Sequence, residues 1–472
     1  MHILNILQEL KDQTGAGSKE RKMLILEVHR DNQLLKDFFY WCLDPSINYW
    51  QSKITVPESV IGPDWMPKQI SLYTAMTRIF DDLVTRSITG NKAKFRLHEI
   101  YSRLSVPDKE LLKRIITGKP DVGFNISTVN TVWPKLVYDP AYMRCSGYSP
   151  KLVKDWDFEN DWIISQVKAD GMFVNVIRSN TTFWFETRSG ERLDKVKEAM
   201  TAEQVYSIAT IGVWGCRDNS GEIVMHGELV IWKDKVMMDR SKSNGLINKI
   251  KLGGELPKGC EIRVSLWDII PYKNWIDHIP YEVSYSERFL GLITAIGLYG
   301  SYSVDIIEYK FVKSIMEAKE HFIECLARGL EGTVLKHESL IWKYHTSNKQ
   351  LKMKNKFTFE MRVTGYKAGD PNGKYEYLGS VEIASECWKL KSAISGMTDK
   401  IREFFNTHRD GMMNKVIEVE ANGLFINDDG SYGLMHPRYK EYRVDRINAD
   451  TLERIIQQEK DAMLGKEIEY DK

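Results

Sequence analysis

The spacing of apolar residues changes twice along the 472-residue chain, and those two changes limit what it can fold into. Up to about residue 133, apolar side chains recur three and four residues apart. They do so in Leu24-Ile-Leu-Glu-Val28, in Leu34-Leu-Lys-Asp-Phe-Phe-Tyr-Trp41, over 70–83 and over 111–116. That is the spacing of a helix face. From about 158 to 356 short alternating runs appear between helical stretches. Strands are predicted at 162–166, 173–177, 183–186, 223–231, 262–267 and 333–335, and helices at 193–200, 285–296 and 315–327. From about 357 the alternation dominates, with strands at 359–366, 378–383, 388–392 and 416–421, a helix near 398–405 and a closing helix at 449–458. The reading is a multidomain α+β chain: an all-helical portion over 1–133, a mixed α/β domain over 134–356, and a β-rich unit over 357–472.

Length alone calls for two to four domains. No run of about 18 or more apolar residues occurs, so no membrane span is expected. The amphipathic start, Met1-His-Ile-Leu-Asn-Ile-Leu-Gln-Glu-Leu-Lys11, lacks the layout of a secretory leader. Six cysteines lie far apart with no CxxC pair, which argues against a zinc site or a disulfide framework and fits a reducing cytoplasm. The net charge is +1. Near-neutrality still allows a basic surface balanced by acidic ones. In the helical portion Lys92, Lys94, Arg96, Arg103, Lys109, Lys113 and Arg114 are such a candidate surface, suited to a nucleic-acid backbone. The stretch from Gly123 to Pro134 reads as a glycine turn and a short helix capped by Asn125 or Ser127, whose start could hold a phosphate. The segment from 134 to about 150, with Pro134, Pro140, Gly147 and Pro150, reads as an irregular connector. The C-terminal unit, near 100 residues with one internal helix and a turn at Gly369-Asp-Pro-Asn-Gly373, suits a small barrel of the OB type.

Chemistry concentrates around Ser165-Gln-Val-Lys-Ala-Asp-Gly171, read as strand, turn, strand. A lysine there, buried beside other cations, is pushed toward the neutral amine, which is a nucleophile. Downstream come His226-Gly-Glu-Leu229, Trp267-Asp268, Glu331-Gly332 and Lys352-Met-Lys354. Taken singly, His226 reads as a satisfied polar residue, Trp267 as core, Glu331-Gly332 as a turn, and the two lysines as a solvated face. Together they supply what nucleotidyl transfer needs. Lys168 is the nucleophile, and Glu228 and Glu331 are oxygen ligands for ribose or Mg²⁺. Lys352 and Lys354 share one strand face, where they can stabilise phosphate charge. Trp267 is an aromatic able to stack on a base. In Pro437-Arg-Tyr-Lys-Glu-Tyr-Arg-Val-Asp-Arg446, Arg443 and Arg446 flank Asp445, and guanidinium groups suit a pyrophosphate.

This ordered set resembles the covalent nucleotidyltransferases, and within them the ATP-dependent DNA ligases of T-even-like bacteriophages. The resemblance runs over essentially the whole chain, through Asp31-Asn-Gln-Leu-Leu-Lys36, Val132-Trp-Pro134, Arg240-Ser-Lys-Ser-Asn-Gly-Leu-Ile-Asn-Lys249 and Trp267-Asp-Ile-Ile-Pro271. It implies an all-helical DNA-binding domain (1–133), an adenylyltransferase domain (134–356) and an OB-fold β-barrel (357–472). These would encircle nicked duplex DNA as a monomer in the host-cell cytoplasm. It implies ATP and Mg²⁺, with AMP carried on Lys168 and passed to the nick in replication, repair and recombination. By the same resemblance Gln166 sits by the adenine, Arg188 in Thr187-Arg-Ser-Gly190 contacts the nucleotide or the nick phosphate, Glu228 binds ribose or metal and Glu331 binds metal. Trp267 lies against the base, and Lys352 and Lys354 hold the α-phosphate. Arg443, Asp445 and Arg446 orient the β- and γ-phosphates. Two positions depart from the family pattern. Phe173 stands where an arginine usual to the family would be, and His226 stands where an acidic residue is usual. The alternatives are RNA ligation or mRNA capping, which share the lysine motif, and a non-catalytic nick-binding protein. The helical portion argues against both of the first two, and the Arg443/Asp445/Arg446 motif in a barrel argues further against RNA ligation. Retention of Lys168, Glu228, Glu331, Lys352 and Lys354 argues against the third.

Overall fold

A computed structural model of the chain describes residues 2–54, 69–169, 171–179, 182–214, 221–238, 240–328, 330–354, 357–369, 375, 377–427 and 430–463. Asp170, and 370–373 of the expected turn, lie outside the described residues. The chain divides into two compact units. The first gathers residues 1–142, 173–199 and 250–254, and the second gathers 143–172, 200–249 and 255–472.

The first unit begins with helices, as the three- and four-residue spacing predicts. They include Ile3–Asp12, Ser18–Val28, Gln33–Leu43, Gly90–Ser102 and Val106–Thr117. Starts are set by side-chain caps: Asn32 accepts from the Leu35 N–H and Ser105 from the Asp108 N–H. The apolar faces meet in one core that includes Leu7, Leu10, Leu35, Phe38, Phe39, Leu111 and Ile115. Trp133 packs 6.0 Å from Phe39, and its indole N–H donates to the Arg30 carbonyl at 2.9 Å. The helix expected after Gly123 is the seven-residue Ile126–Val132. Asn125 makes no side-chain cap there, because its carboxamide oxygen accepts from the Ser127 hydroxyl instead.

Several of the expected phosphate-facing cations are already held internally. Arg96 pairs with Asp82 and Glu99, and Arg114 with Glu110. Lys92 and Lys94 are exposed. The same unit contains the antiparallel hairpin of Met172–Ser179 and Thr182–Thr187, in register from Val174↔Thr187 to Ser179↔Thr182. Lys251 pairs with Glu191 at 2.7 Å, and Glu191 also accepts from Asn48 at 3.0 Å.

The second unit contains two sheets that bear the expected nucleotide-site residues and two further sheets. The first has the order Arg144–Gly147, Thr346–Lys354, Gly332–His337, Ile163–Val167, Tyr309–Val312. Its outer strand Arg144–Gly147 runs parallel to its neighbour and falls inside the segment expected to be an irregular connector. Alternation sends Ile163, Leu335, Leu351 and Met353 to one face, where they pack with Ala318 of the helix Ile315–Ala327. The second sheet pairs Ile223–Lys233 antiparallel with Cys260–Pro271, and the latter parallel with Val304–Ile306. A bulge between His226 and Gly227 interrupts its register.

Beyond residue 356 a two-stranded sheet pairs Gly423–Ile426 with Tyr432–Met435, and a five-stranded antiparallel sheet is made of Phe357–Lys367, Ser380–Ala384, Lys391–Ile394, Val416–Ala421 and Arg438–Tyr442. Phe357, Phe359, Met361, Ile417 and Val419 bury against Phe405 and Ile455 of the helices Asp399–Thr407 and Leu452–Met463. Among the described residues the two edge strands of this sheet are not joined by a continuous ladder. One isolated parallel bridge, Gly396↔Arg438, lies between their ends. The strand expected at 388–392 begins later, at Lys391, because Trp388 turns with φ of 60°.

Candidate active site

Strand register assembles the site. In the first sheet Val334 stands opposite both Gln166 and Lys352, and Gly332 opposite Lys354. The Lys168 N–H donates to the Gly332 carbonyl at 2.9 Å, which carries the pairing one step past the strand end. Because successive side chains alternate, Gln166, Lys168, Lys336, Lys352 and Lys354 all fall on one face, opposite the apolar one.

On that face Glu331 is the hub. One of its carboxylate oxygens accepts from Lys168 Nζ and the other from Lys354 Nζ. Burial would raise the Glu331 carboxyl. The charge of Lys168 and the hydrogen bonds from both lysines outweigh that, and it lies below the usual carboxylate range. Burial, with the charges of Lys168 and Lys352 adding to it, holds the Lys354 ammonium below its ordinary value despite Glu331.

Two glycines make the arrangement possible. Gly332 has a φ of +138°, and a Cβ there would sit well inside 3.0 Å of the Met353 carbonyl oxygen. At Gly171 a Cβ would collide with the Leu229 carbonyl oxygen and lie 2.8 Å from Glu228 Cγ. The Gly171 N–H also donates to Glu228 Oε1 at 3.2 Å. The turn after the lysine therefore rests directly on the strand that carries Glu228. The bulge at Gly227 re-aims that strand between His226 and Glu228. His226 itself is buried and stacked on Trp342 at 6.3 Å. Burial pulls its imidazole down to about 4, so it is neutral at physiological pH.

Trp267 is fixed by its backbone, whose carbonyl accepts from the Tyr285 hydroxyl at 2.6 Å. The next residue, Asp268, forms a two-pronged ion pair with Arg288 at 2.7 and 2.9 Å, both side chains almost wholly buried. Burial opposes ionisation of Asp268, but the Arg288 charge prevails and keeps the carboxyl below its ordinary value. Asp268→Asn would leave the Arg288 charge buried without its counterion. A loss of about 3–5 kcal/mol in unfolding free energy is expected by urea titration. A loss below about 1 kcal/mol would mean the pair contributes little.

The remaining expected residues occupy two other places. Arg188 belongs to the first unit, where its guanidinium stacks 3.9 Å from the Tyr142 ring centroid. Phe173 meets the same Tyr142 edge to face at 5.0 Å, so the arginine and the phenylalanine that departs from the family pattern share one aromatic support. In the C-terminal sheet Arg443 donates to Glu360 at 2.5 Å and, through two nitrogens, to Asp445 at 3.0 and 2.8 Å. These hydrogen bonds pull Asp445 down to about 2, while burial and Asp450 push Glu360 up to about 7. Arg446 is exposed, and its N–H donates to the Arg443 carbonyl at 3.3 Å.

Sequence reasoning missed Tyr285, Arg288, Lys336 and Glu360. Lys336 carried a signal, since it lies four residues past Gly332 and must share that residue's face. Tyr285 carried none, because its partners are distant in the chain.

The family described as the ATP dependent DNA ligase domain matches residues 149–354. The chain is 27% identical to the DNA ligase of Enterobacteria phage T4, over 96% of this chain and 98% of that protein. Identity and coverage are the same for the DNA ligase of Enterobacteria phage T6. Among solved structures, the one described as Pmar-Lig_Pre is similar with a TM-score of 0.69 and 16% identity, over 94% of this chain and 99% of that one.

Proposed function

We propose that this chain, which belongs to the ATP-dependent DNA ligases, seals nicks in duplex DNA through an adenylate carried on Lys168. The observation that carries the reading is the Lys168–Glu331–Lys354 cluster inside the matched ligase domain. Lys168 Nζ attacks the α-phosphorus of ATP. A P–N bond forms, the bond to the β-phosphate oxygen breaks, and pyrophosphate leaves as the amine gives up a proton. A 5′-phosphate oxygen at the nick then displaces the lysine, giving a 5′–5′ pyrophosphate-linked adenylate. Attack by the 3′-OH closes the strand and releases AMP.

Such transfers are carried mainly by positioning and charge neutralisation. Lys354, joined by Lys352 on the same face, neutralises the α-phosphate. To attack, Lys168 must give up its bond to Glu331, and Lys354 is at hand to hold that carboxylate meanwhile. Gln166 and Trp267 receive the adenine, Glu228 the ribose, and Arg188 the nucleotide or the nick phosphate. Its stacking on the aromatic that also supports Phe173 lets Arg188 serve for the cation missing at that position.

Mg²⁺ fits this donor set. Among the described residues no group of three or more His, Cys, Asp or Glu is gathered for a metal. Mg²⁺ characteristically takes one or two carboxylates together with substrate phosphates. Glu331 and Glu228 would hold it, and it would supply charge neutralisation at the phosphates.

The domains follow as 1–133, which binds DNA, 134–356, which carries adenylyl transfer, and 357–472, an OB-type barrel. Supporting the barrel is the Gly396↔Arg438 bridge between the edges of the C-terminal sheet. The three encircle the nicked duplex, and the protein works as a monomer in the host cytoplasm. Arg443, Asp445 and Arg446 orient the departing pyrophosphate. Arg443→Ala is expected to slow adenylylation at least tenfold more than it slows sealing of a pre-adenylated nick. Equal losses in the two assays would argue against a leaving-group role.

The direct test is a labelling chase. The chain, incubated with α-labelled ATP and Mg²⁺, should carry the label through denaturation. Native adenylate should lose it to nicked DNA with formation of a sealed strand, and not to nicked RNA.

A further inference from the structure

We infer that Tyr285 and Lys336 set the nucleobase preference of this site by fixing which end of the Gln166 amide is offered to the base. The inference rests on the assignment of Gln166 to the adenine proposed above, and it concerns two residues that touch no substrate. They are positioning residues.

Proton count decides which way the amide faces. The Tyr285 hydroxyl has one proton and two lone pairs. Three groups contact it: the Trp267 carbonyl oxygen at 2.6 Å, Gln166 Nε2 at 2.7 Å and Lys336 Nζ at 3.1 Å. A carbonyl oxygen only accepts, so it takes the hydroxyl proton. An ammonium only donates, so Lys336 takes one lone pair. What remains for Gln166 is the second lone pair, which demands a donor. The amide must turn Nε2 to the tyrosine and direct Oε1 to the other side. Burial lowers Lys336 to about 8, opposed by Asp268, so near neutral pH it is still mostly the donating ammonium.

The frame is rigid. Tyr285 opens the helix Tyr285–Tyr299, whose start is capped by Ser284 accepting from the Glu287 N–H. Its ring stacks on Phe289 at 5.3 Å, with Lys336 Nζ 4.4 Å from its centroid. Tyr285, Gln166 and Lys336 are 0, 2 and 3% exposed. Water therefore has little access to rescue a flipped amide, and a mismatched buried pair keeps its full penalty.

The consequence is a choice at the 6-position of a purine. Adenine presents an amino donor there and guanine a carbonyl acceptor. An amide locked with Oε1 outward accepts from adenine and opposes guanine, and an amide free to turn could donate to guanine.

The test compares charging of the full-length protein by α-labelled ATP and α-labelled GTP at matched concentrations. Tyr285→Phe removes the hydroxyl and keeps the ring. The ATP-to-GTP ratio of initial labelling rates is expected to fall at least tenfold, with guanylate newly detectable on the protein. Lys336→Met removes the obligate donor from the other side and is expected to shift the ratio the same way. A ratio within twofold of wild type, with both nucleotides slowed equally, would overturn the inference and reduce the pair to a packing role. If the unaltered chain took no label from ATP, the ligase reading itself would fall and this inference with it.

Discussion

Lys168→Ala is expected to leave no AMP on the protein, a loss of at least about 10³-fold in adenylylation, because the other lysines of that face are engaged otherwise: Lys354 with Glu331, Lys336 with the Tyr285 hydroxyl, and Lys352 proposed for the α-phosphate. The fold should survive. The side chain is about a quarter exposed, and its removal leaves Glu331 still paired with Lys354. A melting temperature within a few degrees of wild type is therefore expected by differential scanning calorimetry. Sealing of a nick supplied with its 5′-adenylate should persist, since that step forms no bond to lysine. Full-rate labelling of the variant by α-labelled ATP would refute Lys168 as the nucleophile. Loss of both labelling and the cooperative melt would mean the lysine is structural.

The second large effect is expected at a glycine. Gly332→Ala should destabilise the chain by about 3–5 kcal/mol and suppress adenylylation together. Two costs combine. A side chain at a φ of +138° is strained by roughly 1–3 kcal/mol, and its Cβ would strike the Met353 carbonyl oxygen. The strand Thr346–Lys354 would have to move, and it carries Lys352 and Lys354. The Gly332 carbonyl, which accepts from the Lys168 N–H, would shift with it. Urea titration would read the stability and the labelling assay the chemistry. An alanine variant of unchanged midpoint would show that the close approach is not needed. An unchanged midpoint with charging lost would place the glycine's importance in the site alone.

Much of this was legible in the sequence because it is local. The strand at 416–421 and the helix at 315–327 have the expected bounds, since alternation and three- and four-residue spacing are read within a few residues. The face shared by Lys352 and Lys354 follows from the two-residue period in the same way. The helix Ala202–Trp214 was missed because its apolar residues leave no marked polar side to give a period. Arg144–Gly147 was hidden by the prolines on either side of it, Pro140 and Pro150, and by a parallel partner as distant in sequence as Thr346. The support around Tyr285 was out of reach for a related reason. Gln166 lies 119 residues before it and Lys336 lies 51 after it, and no spacing rule links such positions. The proposed nucleophile is marked by its neighbours in sequence, whereas Tyr285 and Lys336 meet beside Gln166 only in space.

The first compact unit is not one stretch of chain. It needs residues 1–142, then 173–199, then 250–254, where Lys251 pairs with the same Glu191 that accepts from Asn48. On the ribosome its last piece therefore emerges 112 residues after the helices are out (254 − 142). At a synthesis rate of about 5–20 residues per second, that is a wait of roughly 5–20 s. During that time the N-terminal helices hold an incomplete set of contacts. Vectorial folding cannot finish this unit before much of the next has been made, so a stall or a truncation anywhere before residue 254 would release a helical fragment with an unfinished surface to chaperones and proteases.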